Sequence, residues 1–251
     1  MRVAAIYDIH ANLPALEAVL EDIHQARVDL IVVGGDVVPG PLPNETLQCL
    51  LDLKIPAQFI QGNGDREVAA QMNGTETDWF RTAPAQWREP VRASAQQLHP
   101  KHARLLAAWP KTLCIQIPEL GEVFFCHATP RNDTEMFTRQ TPEAALLPVF
   151  AGVNAPVVVC GHTHMQFDRV IGKTRVVNAG SVGMPFAAPG AYWLLLGPDV
   201  QLRHTLYDFE RAAARIRHSG YPQAEDFAAR SILQPMTEQV ALEAFARVEI
   251  K

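Results

Sequence analysis

The residues of this chain best suited to chemistry are two aspartates, four histidines and one asparagine, each at the polar end of a short apolar run. Asp8 and His10 follow VAAIY (3–7), Asp36 follows LIVVGG, and Asn63 follows AQFIQG. His127 follows EVFFC, and His162 and His164 follow PVVVC in the sequence GHTH. Taken singly, an aspartate at a strand end forms a turn or a cap, and a histidine beside a strand is ordinarily a satisfied core residue. The GHTH pair is more pointed, because imidazoles at i and i+2 with small neighbours can face one centre past a turn. Together the seven side chains form an N/O donor set too large for one ion with open positions. It suits two ions that share a carboxylate. Mixed imidazole and carboxylate donors favour Mn, Fe, Zn, Ni or Co over Ca or Mg.

The elements that must position these residues follow a repeat of apolar run, polar tip and amphipathic helix. NLPALEAVLEDIHQ sets Leu16, Val19, Leu20 and Ile23 at helical spacing behind Asn12 as N-cap and an early Pro14. LIVVGGD (30–36) is a second apolar run that ends on glycines and an aspartate, Asn44 is expected to cap a helix running through Leu53, and AQFIQGNGD (57–65) repeats the pattern a third time. The repeat predicts βαβ units and a parallel sheet buried on both faces, with ligands gathering at the strands' carboxyl ends. Residues 66–112 change character, with Trp79, Trp87 and Trp109 and prolines 84, 90, 100 and 110, and predict a helical insertion whose tryptophans pack it, with stacking on a substrate base as the alternative. The second half has short runs at close spacing: 113–117, 122–127, 156–162, 169–178, 192–196 and 200–206. They predict a partly antiparallel second sheet, with a hairpin turn at Gly172-Lys173. DFERAAARIRHSG predicts a helix ending at Gly220, inside a helical tail over about 208–251. One domain over 1–251 is expected.

DIH (8–10), GGD (34–36), GN (62–63), CH (126–127) and GHTH (161–164) resemble, in order, the five motifs of the calcineurin-like metallophosphoesterases. DIHANLPALEAVL and VVNAGSVGMP resemble the small bacterial and archaeal phosphodiesterase branch of that family, and the likeness runs to about residue 206. The resemblance implies an α/β fold, a four-layer αββα sandwich of two mixed sheets flanked by helices, carrying two divalent transition-metal ions, Mn first. By motif, Asp8, His10 and His164 would hold one ion, Asn63, His127 and His162 the other, and Asp36 would bridge. The implied activity is metal-dependent hydrolysis of a phosphate ester, by in-line attack of a metal-bridging hydroxide beside Asp36, Asn63 and His127.

One position departs from the family pattern. Its common motif is G-N-H-D or G-N-H-E, whose histidine contacts phosphate and protonates the leaving oxygen; this chain has Gly64 there. Losing a general acid is worth roughly 10²–10⁴-fold, and weighs most on poor alkoxide leaving groups, so diesters or esters with acidic leaving groups are the expected substrates. Asp65 is expected to form a turn or to support a ligand. Arg131 is a candidate phosphate contact or, equally, a surface salt-bridge partner; Asn12 is another candidate contact, which helix capping also explains. His24, His99, His102, His204 and His218 read as surface or packing residues.

Composition narrows the partners. The 251 residues carry 22 Lys+Arg against 27 Asp+Glu, net −5, with no basic run, so general nucleic-acid binding is not expected. Apolar runs are too short for a membrane span, and the N-terminal run is too short for a signal peptide. Cys49, Cys114, Cys126 and Cys160 lack C-x-x-C spacing and read as buried reduced thiols of a cytoplasmic protein. A small-molecule or accessible phosphate ester is the expected partner, with a homodimer through a sheet edge or the C-terminal helices as an option. Two alternatives stand beside the phosphodiesterase: a phosphomonoesterase or phosphoprotein phosphatase, and a non-catalytic metal-binding or interaction scaffold on the same fold.

Overall fold

The computed structural model describes residues 1–246. The chain runs β1 (Val3–Ile6), α1 (Leu13–Ala26), β2 (Leu30–Val33), α2 (Pro43–Leu51) and β3 (Ala57–Phe59). Four helices follow, α3 (Asn63–Met72), α4 (Asp78–Thr82), α5 (Ala85–Gln97) and α6 (Lys101–Ala108). Then come β4 (Thr112–Ile117), β5 (Gly121–Cys126), α7 (Glu143–Phe150), β6 (Val157–Cys160), β7 (Gln166–Ile171), β8 (Thr174–Ala179), β9 (Ala191–Leu196) and β10 (Val200–Thr205). The tail holds α8 (Phe209–Arg217), α9 (Ala224–Phe227), a π-helical turn (Ala228–Leu233) and α10 (Glu238–Phe245). Residues 247–251 of the expected tail lie outside the described residues.

The strands form two mixed five-stranded sheets, ordered β10-β9-β1-β2-β3 and β4-β5-β6-β8-β7. Side-chain alternation explains how they stack. Val3, Ala5 and Tyr7 point from the first sheet into a core shared with Ile115, Val123, Phe125, Val159 and Val177 of the second. Ala4 and Ile6 point the other way, onto Leu16, Val19 and Ile23 of α1. The far face of the second sheet packs Val158, Cys160 and Val176 against Leu146, Val149 and Phe150 of α7. The order is therefore helix, sheet, sheet, helix, and the central strands β1 and β6 are buried on both faces.

The structure corrects several sequence expectations. β9 and β10 leave the second sheet and return to the first, where β9 runs antiparallel to β1 with Val3 opposite Leu196. Close spacing along the chain reveals antiparallel pairing, not which sheet receives it. Asn44 does not cap α2, which starts at Pro43 behind Leu42 with no side-chain cap. Instead Asn44 donates to Gln97 O (2.6 Å) and accepts from His99 N (3.2 Å), tying α2 to the insertion. α8 stops at Arg217, before Gly220. Only Trp109 of the insertion's tryptophans is buried, stacked on Phe59 at 5.0 Å; Trp87 is 59% exposed. Cys126 and Cys160 are buried as expected, whereas Cys114, on the edge strand β4, is exposed. The tail packs back on the body: Ala212 and Ile216 of α8 meet Ala93 of α5, and α10 covers Met165 and Phe186. No described helix is long and apolar enough to cross a membrane.

Candidate metal centre

Five strand ends, three from the first sheet and two from the second, bring the seven side chains to one shared edge. Asp8 Oδ1 lies 3.9 Å from His10 Nε2, 3.8 Å from His127 Nε2 and 3.3 Å from His164 Nε2. Asp36 reaches His10 Nε2 at 3.9 Å and His127 Nε2 at 3.7 Å. Two compact donor groups result, Asp8–His10–His164 and Asp8–Asp36–His127. Asp8 therefore stands between the two histidine sets as fully as Asp36 does. His162 lies against His127, ring centroids 5.2 Å apart.

The backbone is bent to make this convergence. Seven described non-glycine residues have positive φ, and five of them are Asp8 (52°), His10 (48°), Asp36 (52°), His162 (66°) and His164 (57°). Aspartate and histidine tolerate the left-handed region better than most residues, at a cost of about 1–2 kcal/mol each. Such outliers concentrate where a site must aim its side chains.

Hydrogen bonds then fix the imidazoles. Nδ1 of His127, His164 and His10 faces the carbonyls of Gly34 (2.9 Å), Met184 (2.7 Å) and Pro39 (3.2 Å). A carbonyl only accepts, so each Nδ1 carries the proton and each Nε2 aims a lone pair inward. Two such lone pairs, on His10 and His164, face each other at 3.2 Å. They repel unless a proton or a cation lies between them. Asp8 Oδ1 is buried without a hydrogen-bond partner, a loss of about 1–3 kcal/mol if nothing else satisfies it. The residues present thus fit divalent cations.

For Asp8 and His162 the electrostatics agree. Burial alone would raise the Asp8 carboxyl, but His164, then His127 and His10, hold it well below the carboxylate range. Burial also opposes charge on His127 and His164; the neighbouring carboxylates, Asp36 and Asp8 for His127 and chiefly Asp8 for His164, outweigh it and raise both. Burial, then His127, push His162 down to about 4. An ionised carboxylate and a neutral imidazole are the forms in which such groups can take a metal.

Asn63 is the first residue of α3, behind Gly62 as cap. One of its carboxamide atoms lies 3.0 Å from His162 Nδ1 and 3.1 Å from both His127 Nε2 and Asp133 O. Hydrogen bonding by itself selects the amide nitrogen for that position, while a cation among the imidazoles selects the oxygen. Gly62 is required sterically, since a Cβ there would lie 2.3 Å from Asp36 Oδ1. Gly64 is favoured for a different reason. A Cβ would lie 2.6 Å from Pro39 Cγ, so the space beyond Gly64 is filled by proline. The Gly64 N–H donates to Asp36 Oδ1 at 2.6 Å.

The remaining candidates are placed as follows. Asp65 is fully buried and accepts from Val37 N (2.8 Å), Val38 N (3.2 Å) and Gly62 N (3.1 Å), so it ties the Asp36 and Asn63 loops together. Burial and then Asp36 push its carboxyl up to about 7, against those three donors. Asn12 is buried, caps α1 through Ala15 N and donates to Gly183 O at 2.9 Å. Arg131 pairs with Glu135 at 2.5 Å. Sequence reasoning missed four further groups: the carbonyls of Gly34, Pro39 and Met184, and Phe186, which stacks on His164 at 5.0 Å. Backbone acceptors leave no side-chain signature. Only the VVNAGSVGMP stretch, which ends just before Phe186, offered a signal.

Comparison with known proteins is consistent with this geometry. The calcineurin-like phosphoesterase superfamily domain matches residues 1–197. An uncharacterized protein of Methanocaldococcus jannaschii is 26% identical over 242 residues, covering 88% of this chain and 94% of that protein. The crystal structure of a metallophosphoesterase from Sphaerobacter thermophilus is 27% identical with a TM-score of 0.69, covering 91% of this chain and 97% of that one. A hypothetical protein of Pyrococcus horikoshii, 21% identical, shares the fold with a TM-score of 0.77 over 90% of this chain and 97% of its own. The chain belongs to the calcineurin-like phosphoesterase superfamily.

Proposed function

From that membership we propose that the chain is a dinuclear metal-dependent phosphoesterase that prefers phosphodiesters, with Mn²⁺ as the first choice of ion. The observation that carries the reading is the inward-facing donor cluster, in which the His10 and His164 lone pairs meet at 3.2 Å and Asp8 Oδ1 has no partner. Asp8, His10 and His164 would hold one ion, Asn63, His127 and His162 the other, with Asp36 and Asp8 between the sets. When bound, such a pair supplies Lewis acidity toward phosphate oxygens and a water of lowered pKa. The protein's own part is to aim the donors. Gly34, Pro39 and Met184 fix the histidine tautomers, and the Gly64 N–H fixes the Asp36 carboxylate.

The diester preference rests on Gly64 and Pro39. The family's leaving-group histidine is replaced here by a glycine whose side-chain space a proline ring occupies. A leaving oxygen then departs without a proton from that position, which favours acidic leaving groups and diesters over alkyl monoesters. The substrate would be a small or accessible phosphate ester. The test is metal analysis of the purified protein, followed by hydrolysis of aryl phosphodiesters and monoesters with added Mn²⁺. Two bound ions and faster diester turnover are expected, abolished by His162→Ala. Metal binding without turnover of any phosphate ester, unchanged in His162→Ala, would establish the scaffold reading instead.

A further inference from the structure

Asn63 and His127 come from different sheets, and a second connection joins them outside the donor cluster. Arg66, one turn after Asn63 on α3, grips Asp133 in the loop after His127, with Nε to Oδ2 at 2.8 Å and an Nη2 bond to Oδ1 at 3.2 Å. Its remaining nitrogen, Nη1, donates to Glu67 at 2.5 Å. Glu67 is itself buried and accepts from the Thr77 hydroxyl. This two-pronged pairing holds the 129–135 loop in one position relative to α3, as a lysine's single point of charge would not.

The consequence lies on Asp133's main chain. Its carbonyl oxygen is 3.1 Å from the same Asn63 carboxamide atom that faces His162 Nδ1 at 3.0 Å and His127 Nε2 at 3.1 Å. Donors bound at right angles about 2.1 Å from one ion lie about 3 Å apart. The three separations around that atom all have this length. With the carboxamide oxygen facing the cluster, two oxygens at 3.1 Å would repel unless they share a cation.

We infer that the Asp133 main-chain carbonyl is an additional donor to the second ion, and that Arg66 is the positioning residue that holds it there. The donor set of that site becomes His127 Nε2, His162 Nδ1, Asn63 Oδ1 and Asp133 O, beside the aspartates. This rests on the dinuclear reading above. It makes Arg66, which lies outside all five family motifs, a determinant of how tightly one of two ions is held.

The experiment titrates metal-free protein with Mn²⁺ in the absence of any phosphate ester, counting bound ions by electron paramagnetic resonance. Wild type is expected to bind two. In Arg66→Gln and in Asp133→Ala one site should weaken about 10–100-fold while the other holds, and the double variant should lose no more than either single one. Arg66→Lys should fall between, and it serves as the milder variant if Arg66→Gln misfolds, as judged by melting of the metal-free protein. Two-site binding in both single variants that matches wild type overturns the inference while leaving the dinuclear reading intact. A wild type that binds fewer than two ions overturns the dinuclear reading and the inference together. If Arg66 served substrate phosphate alone, its loss would leave this titration unchanged.

Discussion

Replacing Gly64 with alanine should be more destabilising with Pro39 present than without it. An added Cβ would sit 2.6 Å from Pro39 Cγ, and 3.0 Å from Asp36 Oδ1. Ordinary carbon contacts begin near 3.4 Å, so the proline ring or the helix must move by most of an ångström. Overpacking of this kind costs about 1–3 kcal/mol. Against it stands the gain from removing a glycine from a helix, about 1 kcal/mol, since Gly64 is the second residue of α3. Gly64→Ala should therefore be neutral to about 2 kcal/mol destabilising in the native background. Pro39→Ala deletes the clashing Cγ but keeps the main-chain carbonyl that receives His10 Nδ1. In that background Gly64→Ala should become neutral or stabilising, a coupling of about 1–3 kcal/mol. Urea unfolding of metal-free protein measures all four corners of the cycle, with an unchanged slope required for comparison. Equal effects of Gly64→Ala in the two backgrounds would refute the packing argument. The Pro39→Ala background is also the proper one for Gly64→His. There an added imidazole should raise alkyl-monoester turnover relative to aryl-diester turnover by about 10²-fold or more; an unmoved ratio would remove the basis for the diester preference.

Further outcomes follow from the same geometry. Asp65→Ala strands three buried N–H groups from two loops, so a loss of at least about 2 kcal/mol in urea unfolding is expected; less than about 0.5 kcal/mol would mean that water replaces the carboxylate. Arg131→Ala breaks an exposed pair with Glu135, which solvent screens, so a KM rise above tenfold would place Arg131 on the substrate phosphate. Adding Mn²⁺ at one hundred times its Kd to chelator-treated protein should stabilise it by about 2.7 kcal/mol per site. A melting temperature indifferent to Mn²⁺ would count against any metal at these residues.

The site was legible because its donors are side chains at the ends of apolar runs, and strand ends in one α/β architecture meet at an edge. What the sequence withheld was carried by backbone or by distance. The tautomer-setting partners are main-chain carbonyls at Gly34, Pro39 and Met184, which any residue type could provide. Gly64 read as a missing side chain, whereas the structure shows its space taken by Pro39, far back in the chain. The fold's first half was legible from its helical and strand periods. β9 misled because a strand buried on both faces, YWLLL, fits beside β1 as well as in the second sheet, and only the three-dimensional register decides. Asn44 has the type of a cap and one neighbour too many: Pro43, ahead of it, already supplies the first helical φ.

The left-handed backbone at Asp8, His10, Asp36, His162 and His164 has a bearing on how this protein would change under selection. Each of these positions would be more comfortable as glycine, which occupies that region freely. At His162, a glycine variant should therefore unfold at higher urea than the alanine variant, although both have lost the donor. Mutational drift that relaxes the need for metal would be expected to deposit glycines there first. A relative bearing glycine at several of these five positions could then be recognised as one that has given up the ions while keeping the fold.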